Sequence, residues 1–174
     1  YQQPYLSLFL LVWAFKVFGE SEISARLVGI ISGLFTIIMI FIITKSFSGG
    51  SRLERLRLAT LSSIMYTLAP TTIQGSAILQ IDTTILVPLA LFFLWSIVTY
   101  YQDRRWMWAM VIIFAVTISL WVRLSTPIIL IFLSTFYILV SKNNFKLKLI
   151  SVTAILCGIF LFLVSWYLYC SITG

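Results

Sequence analysis

The sequence predicts an all-α, polytopic integral membrane protein with about six transmembrane helices and one external juxtamembrane helix. Three observations lead to this reading. Of the 174 residues, 61% are hydrophobic and only 10% charged, against about 25% charged in soluble chains. The charged residues fall between long apolar runs. The basic ones alternate between loops rich and poor in positive charge, the pattern that orients helices across a bilayer.

A hydrocarbon core of about 30 Å takes roughly 17 to 25 helical residues to cross. Runs at that length are residues 27–44, 58–81, 83–102, 106–122, 124–141 and 149–170, the two flanking Arg123 at the short limit. Residues 4–18 precede them; this stretch is aromatic-rich, carries Lys16 near its end, and suits a helix lying along the outer interface. Its alternative is a crossing segment whose start is missing. Three loops hold nine of the twelve basic residues: Lys45, Arg52, Arg55 and Arg57; Arg104 and Arg105; Lys142, Lys146 and Lys148. Placing those loops in the cytoplasm leaves Lys16, Arg26 and Arg123 outside, with Glu20, Glu22 and Asp82.

Composition also excludes chemistries. There is no histidine, hence no imidazole base, no Ser-His-Asp or Cys-His relay and no histidine-ligated zinc. Acid-base work falls to five carboxylates. Cys157 and Cys170 lie in one apolar run and form neither a disulfide framework nor a metal knuckle. The net charge of +7 is accounted for by cytoplasmic loops, so no nucleic-acid partner is expected; the expected surroundings are membrane lipids. Ser48 to Ser51, Ser-Gly-Gly-Ser, is a turn, because no strand precedes it and no Gly-Lys-Ser/Thr follows. The start at Tyr1 without methionine and the end at Gly174 just after an apolar run predict an internal piece of a longer protein, with no visible signal peptide.

Three residues stand out as candidates for a site. Asp82 interrupts apolar sequence at the outer surface, where a carboxylate must reach water, a metal or a basic partner; with Thr83 and Thr84 it equally reads as an N-cap of the next helix. Arg123, in Trp-Val-Arg-Leu-Ser-Thr-Pro, stands outside against the charge rule. It is read as a phosphate-binding guanidinium, Ser125 and Thr126 adding hydroxyls, or as a snorkelling arginine at a hairpin tip with Pro127 opening the return helix. Arg26 follows a capping Ser21 and pairs with Glu22 at the i, i+4 spacing; it is an anchor first and a site residue second. Tyr100, Tyr101, Trp106 and Trp108 flank a cytoplasmic turn as an interfacial belt.

The order of short motifs carries a family resemblance. Gln3-Pro4-Tyr5-Leu6 leads through Phe15-Lys16-Val17-Phe18-Gly19-Glu20-Ser21-Glu22 to Ala25-Arg26-Leu27, then come a basic loop, Ala69-Pro70, and Ile81-Asp82. Over residues 2 to 90, and more loosely to the Arg123 hairpin, this resembles the N-terminal half of polyprenol-phosphate-sugar-dependent glycosyltransferases of the GT-C type. The nearest group looks like the protein O-mannosyltransferases and their bacterial envelope relatives. The resemblance implies transfer of a sugar from a polyprenyl-phosphate-linked donor on the external face of a bacterial or archaeal plasma membrane. It implies a main catalytic acid in an external loop that would lie before Tyr1, so the piece alone is expected to be inactive. Asp82 matches the family's acidic residue after the next outward helix, which organises the site or links to a metal. Arg123 stands where relatives often carry a lysine near the donor phosphate, and Gln3 and Arg26 join it as expected substrate-binding residues. Gln2 and Gln3 replace the acidic-basic pair of the aminoarabinose-transferring branch, which argues against that substrate and its metal site. Cofactor need is otherwise open, a divalent cation being the one candidate.

Two other classes compete. A transporter or flippase half would line a path with membrane-embedded polar groups, yet the longest runs carry no ionisable residue at mid-membrane. A non-catalytic scaffold would keep its function with alanine at both Asp82 and Arg123.

Overall fold

A computed structural model describes residues 6–69, 81–123, 125–140 and 145–173. Among them there is helix and no strand, as the composition predicts. Seven helices follow in order: α1 Leu6–Phe18, α2 Glu22–Phe47, α3 Arg52–Leu68, α4 Ile81–Asp103, α5 Trp106–Val122, α6 Ser125–Val140 and α7 Phe145–Thr173. Among the described residues α2, α4 and α7 are long and apolar enough to cross a membrane, whereas α1, α5 and α6 are apolar but shorter. The chain is an integral membrane protein. Its helices fall into two compact units, one over Leu6–Leu91 and the other from Phe92 onward.

In the first unit the α1–α2 junction is set locally. Gly19 takes φ +81 and its N–H bonds Phe15 O at 2.9 Å, which ends α1 in the left-handed conformation that glycine adopts without strain. Ser21 then caps α2 by accepting from Ser24 N–H at 3.1 Å, and the Ser24 hydroxyl donates back to Phe18 O at 3.4 Å. The buried face of α2 consists of Ser24, Ala25, Ser32, Thr36 and Met39, and that of α3 of Ala59 and Ser63. Such small residues let helix backbones approach closely where lipid supplies no hydrophobic drive between helices. Thr36 is satisfied within its own helix, since its Oγ1 donates to Ser32 O at 2.8 Å.

The third helix departs from expectation. The predicted span 58–81 is not one continuous helix: α3 starts at Arg52 and stops at Leu68. Its start is fixed by a reciprocal cap, in which Ser51 Oγ accepts from Glu54 N–H and Glu54 Oε2 accepts from Ser51 N–H at 2.8 Å. Its end is fixed by Pro70, which disfavours helical backbone at the preceding residue, and Ala69 takes φ −64 and ψ 131. Replacing Ser51 with alanine removes half of this cap. The expected result is a loss of about 1 kcal/mol of stability, read as a lower melting temperature in detergent.

The second unit is built on α5 and α7. Ile112, Ala115, Val116 and Leu120 of α5 bury against Ala154, Ile155 and Phe162 of α7, with Ile138 of α6 in the same cluster. The two helices cross at Gly158, where an added Cβ would lie 2.9 Å from Ile113 O and 2.9 Å from Val116 Cβ. Thr117 Oγ1, bonded to Ile113 O at 2.9 Å, also reaches Gly158 O at 3.0 Å. Pro127 is fully buried in the first turn of α6, where its missing N–H breaks no helical bond. Tyr100 differs from the interfacial role expected of it, for it is 2% exposed and part of the core. Trp108 stacks edge-on against Trp95 at 5.0 Å and donates to Asp103 at 3.3 Å, more a packed corner than a belt.

Candidate functional site

Arg26 sits one turn into α2, on the helix that Ser21 caps. Its Nη2 lies 2.6 Å from Glu22 Oε1, and both side chains are largely exposed. That geometry is the predicted i, i+4 pair, an interaction of a few tenths of a kcal/mol that holds the guanidinium at the start of the helix. Glu22 also complements the positive end of α2. The predicted Arg26–Glu22 pair is therefore present, with the guanidinium in the first turns of α2, next to the end of α1.

Asp82 lies in the same unit, with helical backbone as the second residue of α4 as described. It is inside the helix and not the flanking residue, so the N-cap reading is corrected: a cap residue has non-helical backbone. The Asp82 side chain falls outside the described residues, and so does Gln3 entirely.

Arg123 belongs to the second unit. It terminates α5 with extended backbone, φ −163 and ψ 138, its N–H bonded to Ser119 O at 3.2 Å, and α6 begins two residues later. Its side chain is exposed, and among the described residues its guanidinium has no carboxylate partner. An unneutralised planar donor fork at the tip of an apolar helix pair is suited to a phosphate, which accepts two parallel N–H bonds.

Beside Arg123 the structure assembles a feature that motif reading missed. Trp121, two residues earlier, donates through Nε1 to Ser165 Oγ at 2.9 Å. Its ring meets Phe162 at 6.0 Å, Trp166 at 5.5 Å and Tyr169 at 5.8 Å, and Trp166 in turn stacks on Phe162 and Tyr169. Aromatics clustered at the ends of two apolar runs were the signal, but only the parallel packing of α5 on α7 brings Trp121 to Trp166. The cluster holds the Arg123 end of α5 in place.

Among the described residues no group of three or more Cys, Asp or Glu is placed to hold a metal ion. The described carboxylates are spread along the chain and do not by themselves form a divalent-cation site. Cys157 and Cys170 are not disulfide-linked.

No curated protein and no solved structure matches the chain. A family model described as dolichyl-phosphate-mannose-protein mannosyltransferase matches residues 2–167, nearly the whole sequence and a longer stretch than the motifs of residues 2 to 90 alone suggested. With its apolar helices and its exposed basic helix terminus, the chain belongs to the dolichyl-phosphate-mannose-protein mannosyltransferase family, and is a membrane glycosyltransferase of the mannosyltransferase type.

Proposed function

We propose that the protein transfers a sugar, in the first instance mannose, from a polyprenyl-phosphate-linked donor to a protein, lipid or glycan acceptor at the external face of a bacterial or archaeal plasma membrane. The observation that carries this reading is Arg123, an exposed guanidinium without a carboxylate partner among the described residues, at the tip of the α5–α6 hairpin.

The chemistry explains why a cation belongs there. The donor is a phosphodiester with one negative charge. When the bond from the sugar's anomeric carbon to the phosphate oxygen breaks, its electron pair stays on that oxygen, and the polyprenyl phosphate leaves with a second negative charge. The acceptor hydroxyl supplies the new bond to carbon and gives its proton to a base. A guanidinium near the leaving oxygen meets more charge in the transition state than in the ground state, which is the condition for raising kcat. Asp82 is assigned a site-organising or metal-linked role and Arg26 and Gln3 substrate-binding roles, the principal base being a further residue.

A vesicle experiment tests transfer against transport. Full-length protein in membrane vesicles with polyprenyl-phosphate-[14C]mannose is expected to move label covalently into membrane-bound acceptor. Movement of intact donor between leaflets without incorporation would instead establish the transporter reading. The face is tested separately: in a protein whose native cysteines are replaced by serine, Arg123→Cys is expected to react with an impermeant maleimide in intact cells, and Arg57→Cys only after lysis.

A further inference from the structure

The basic end of the α2–α3 hairpin has a shape that charge orientation alone does not require. A cavity of about 410 Å³ opens between the last turns of α2 and the first turn of α3, lined by Phe41, Ile42, Lys45, Ser46, Arg52 and Arg55. Three of its six lining residues are cationic and none is acidic. The nearby acid, Glu54, has its carboxylate turned to Ser51 N–H in the reciprocal cap. The Ser46 hydroxyl is spent on Ile42 O at 2.8 Å. Among the described residues Lys45, Arg52 and Arg55 have no ion-pair partner, and the start of α3 adds the positive end of a 17-residue helix.

The floor of the cavity decides what kind of anion fits. Phe41 is shared with a second cavity of about 320 Å³ further along the same hairpin, lined by Ile37, Ile38, Phe41, Thr60, Ser63, Ile64 and Thr67. A cationic chamber and an apolar groove thus meet on either side of Phe41, the groove lying along the membrane-spanning part of α2. A free phosphate uses only the first chamber; an amphiphile with an anionic head and an acyl chain fills both.

We propose that this pair of cavities is a binding site for one anionic phospholipid, its phosphate held by Lys45, Arg52 and Arg55 and one acyl chain laid along Ile37, Ile38 and Ile64. The site lies at the opposite end of α2 from Arg26 and does not depend on the sugar-transfer reading. A lipid seated there ties the starts of α3 to the end of α2 and fixes the depth of the hairpin in its leaflet.

Native mass spectrometry of the full-length protein, released from detergent with equimolar phosphatidylglycerol and phosphatidylcholine, tests the proposal. One phosphatidylglycerol is expected to stay bound with at least tenfold preference. The variant Lys45→Gln, Arg52→Gln, Arg55→Gln is expected to weaken it on the order of 100-fold, since each juxtamembrane cation contributes about fivefold. The single Arg55→Gln, which is mild enough to leave the fold intact, is expected to lose about fivefold. Arg104→Gln with Arg105→Gln, which removes basic charge elsewhere, is expected to change nothing. The proposal is overturned if the two lipids bind alike, if inorganic phosphate at millimolar concentration displaces the lipid, if equimolar polyprenyl phosphate displaces it, or if the Arg104 and Arg105 changes have the same effect as the cavity changes.

Discussion

Replacing Arg123 with glutamine in the full-length protein is expected to lower sugar transfer by about 10²- to 10³-fold, the range found when one donor to a developing oxyanion is removed. The split between constants is the informative part. If Arg123 meets the charge that appears as the donor phosphate leaves, the loss falls on kcat; if it holds donor and transition state equally, KM rises and kcat stays. Arg123→Lys keeps the charge but not the planar fork, so it is expected to recover part of the rate and leave a deficit from the lost bidentate contact. The side chain is exposed and ends a helix without a side-chain partner among the described residues. Its replacement is accordingly expected to shift stability by no more than about 0.5 kcal/mol, which a melting curve in detergent separates from an activity loss. Asp82→Asn is the companion measurement. Alanine at both positions with transfer intact would remove both residues from the site and leave them as helix-terminus features.

The largest structural effect is expected at Gly158. Alanine there brings a methyl group within 2.9 Å of Ile113 O and of Val116 Cβ, so α5 and α7 must separate or bend. Overpacking of this kind costs about 1 to 3 kcal/mol; leucine is expected to cost more and to break the Thr117 bond to Gly158 O. The expected order of melting temperature in detergent is wild type, then Gly158→Ala, then Gly158→Leu. A double variant isolates the cause. Val116→Ala removes part of the side-chain clash but cannot move the Ile113 carbonyl, so Gly158→Ala with Val116→Ala is expected to remain below Val116→Ala alone. Equal stability of those two would show that the backbones do not meet as closely as the crossing implies. Because α5 also carries Arg123, the leucine variant is expected to lose transfer activity along with its fold.

Both predictions depend on features of different legibility. Arg123 could be singled out from sequence because a charge in an apolar chain is conspicuous and its sign against the orientation rule is informative. Ser21, Glu22 and Arg26 were equally readable, since capping and i, i+4 pairing depend only on local spacing. Asp82 was readable as a residue but not as a position: its helical backbone depends on where α4 begins. Gly158 could not be singled out at all. The helices α4, α5 and α7 are apolar around nearly their whole circumference, so no periodicity marks the face that packs, and a glycine in such a run looks like any other small residue.

The same contrast separates the whole protein into two kinds of information. Composition, charge placement and short motifs alone determined that the chain is all-helical, lies in a membrane, and resembles polyprenol-phosphate-sugar-dependent glycosyltransferases, because burial in lipid requires long apolar runs and confines charge to their ends. Tertiary structure decided what two segments distant in the chain do together. It brought Trp121 onto Ser165 and Trp166 beside Arg123, and laid Gly158 of α7 against Ile113 and Val116 of α5. These are matters of which helix faces meet, and in a membrane that choice is made by small residues, interhelical hydrogen bonds and shape, none of which leaves a period in the sequence.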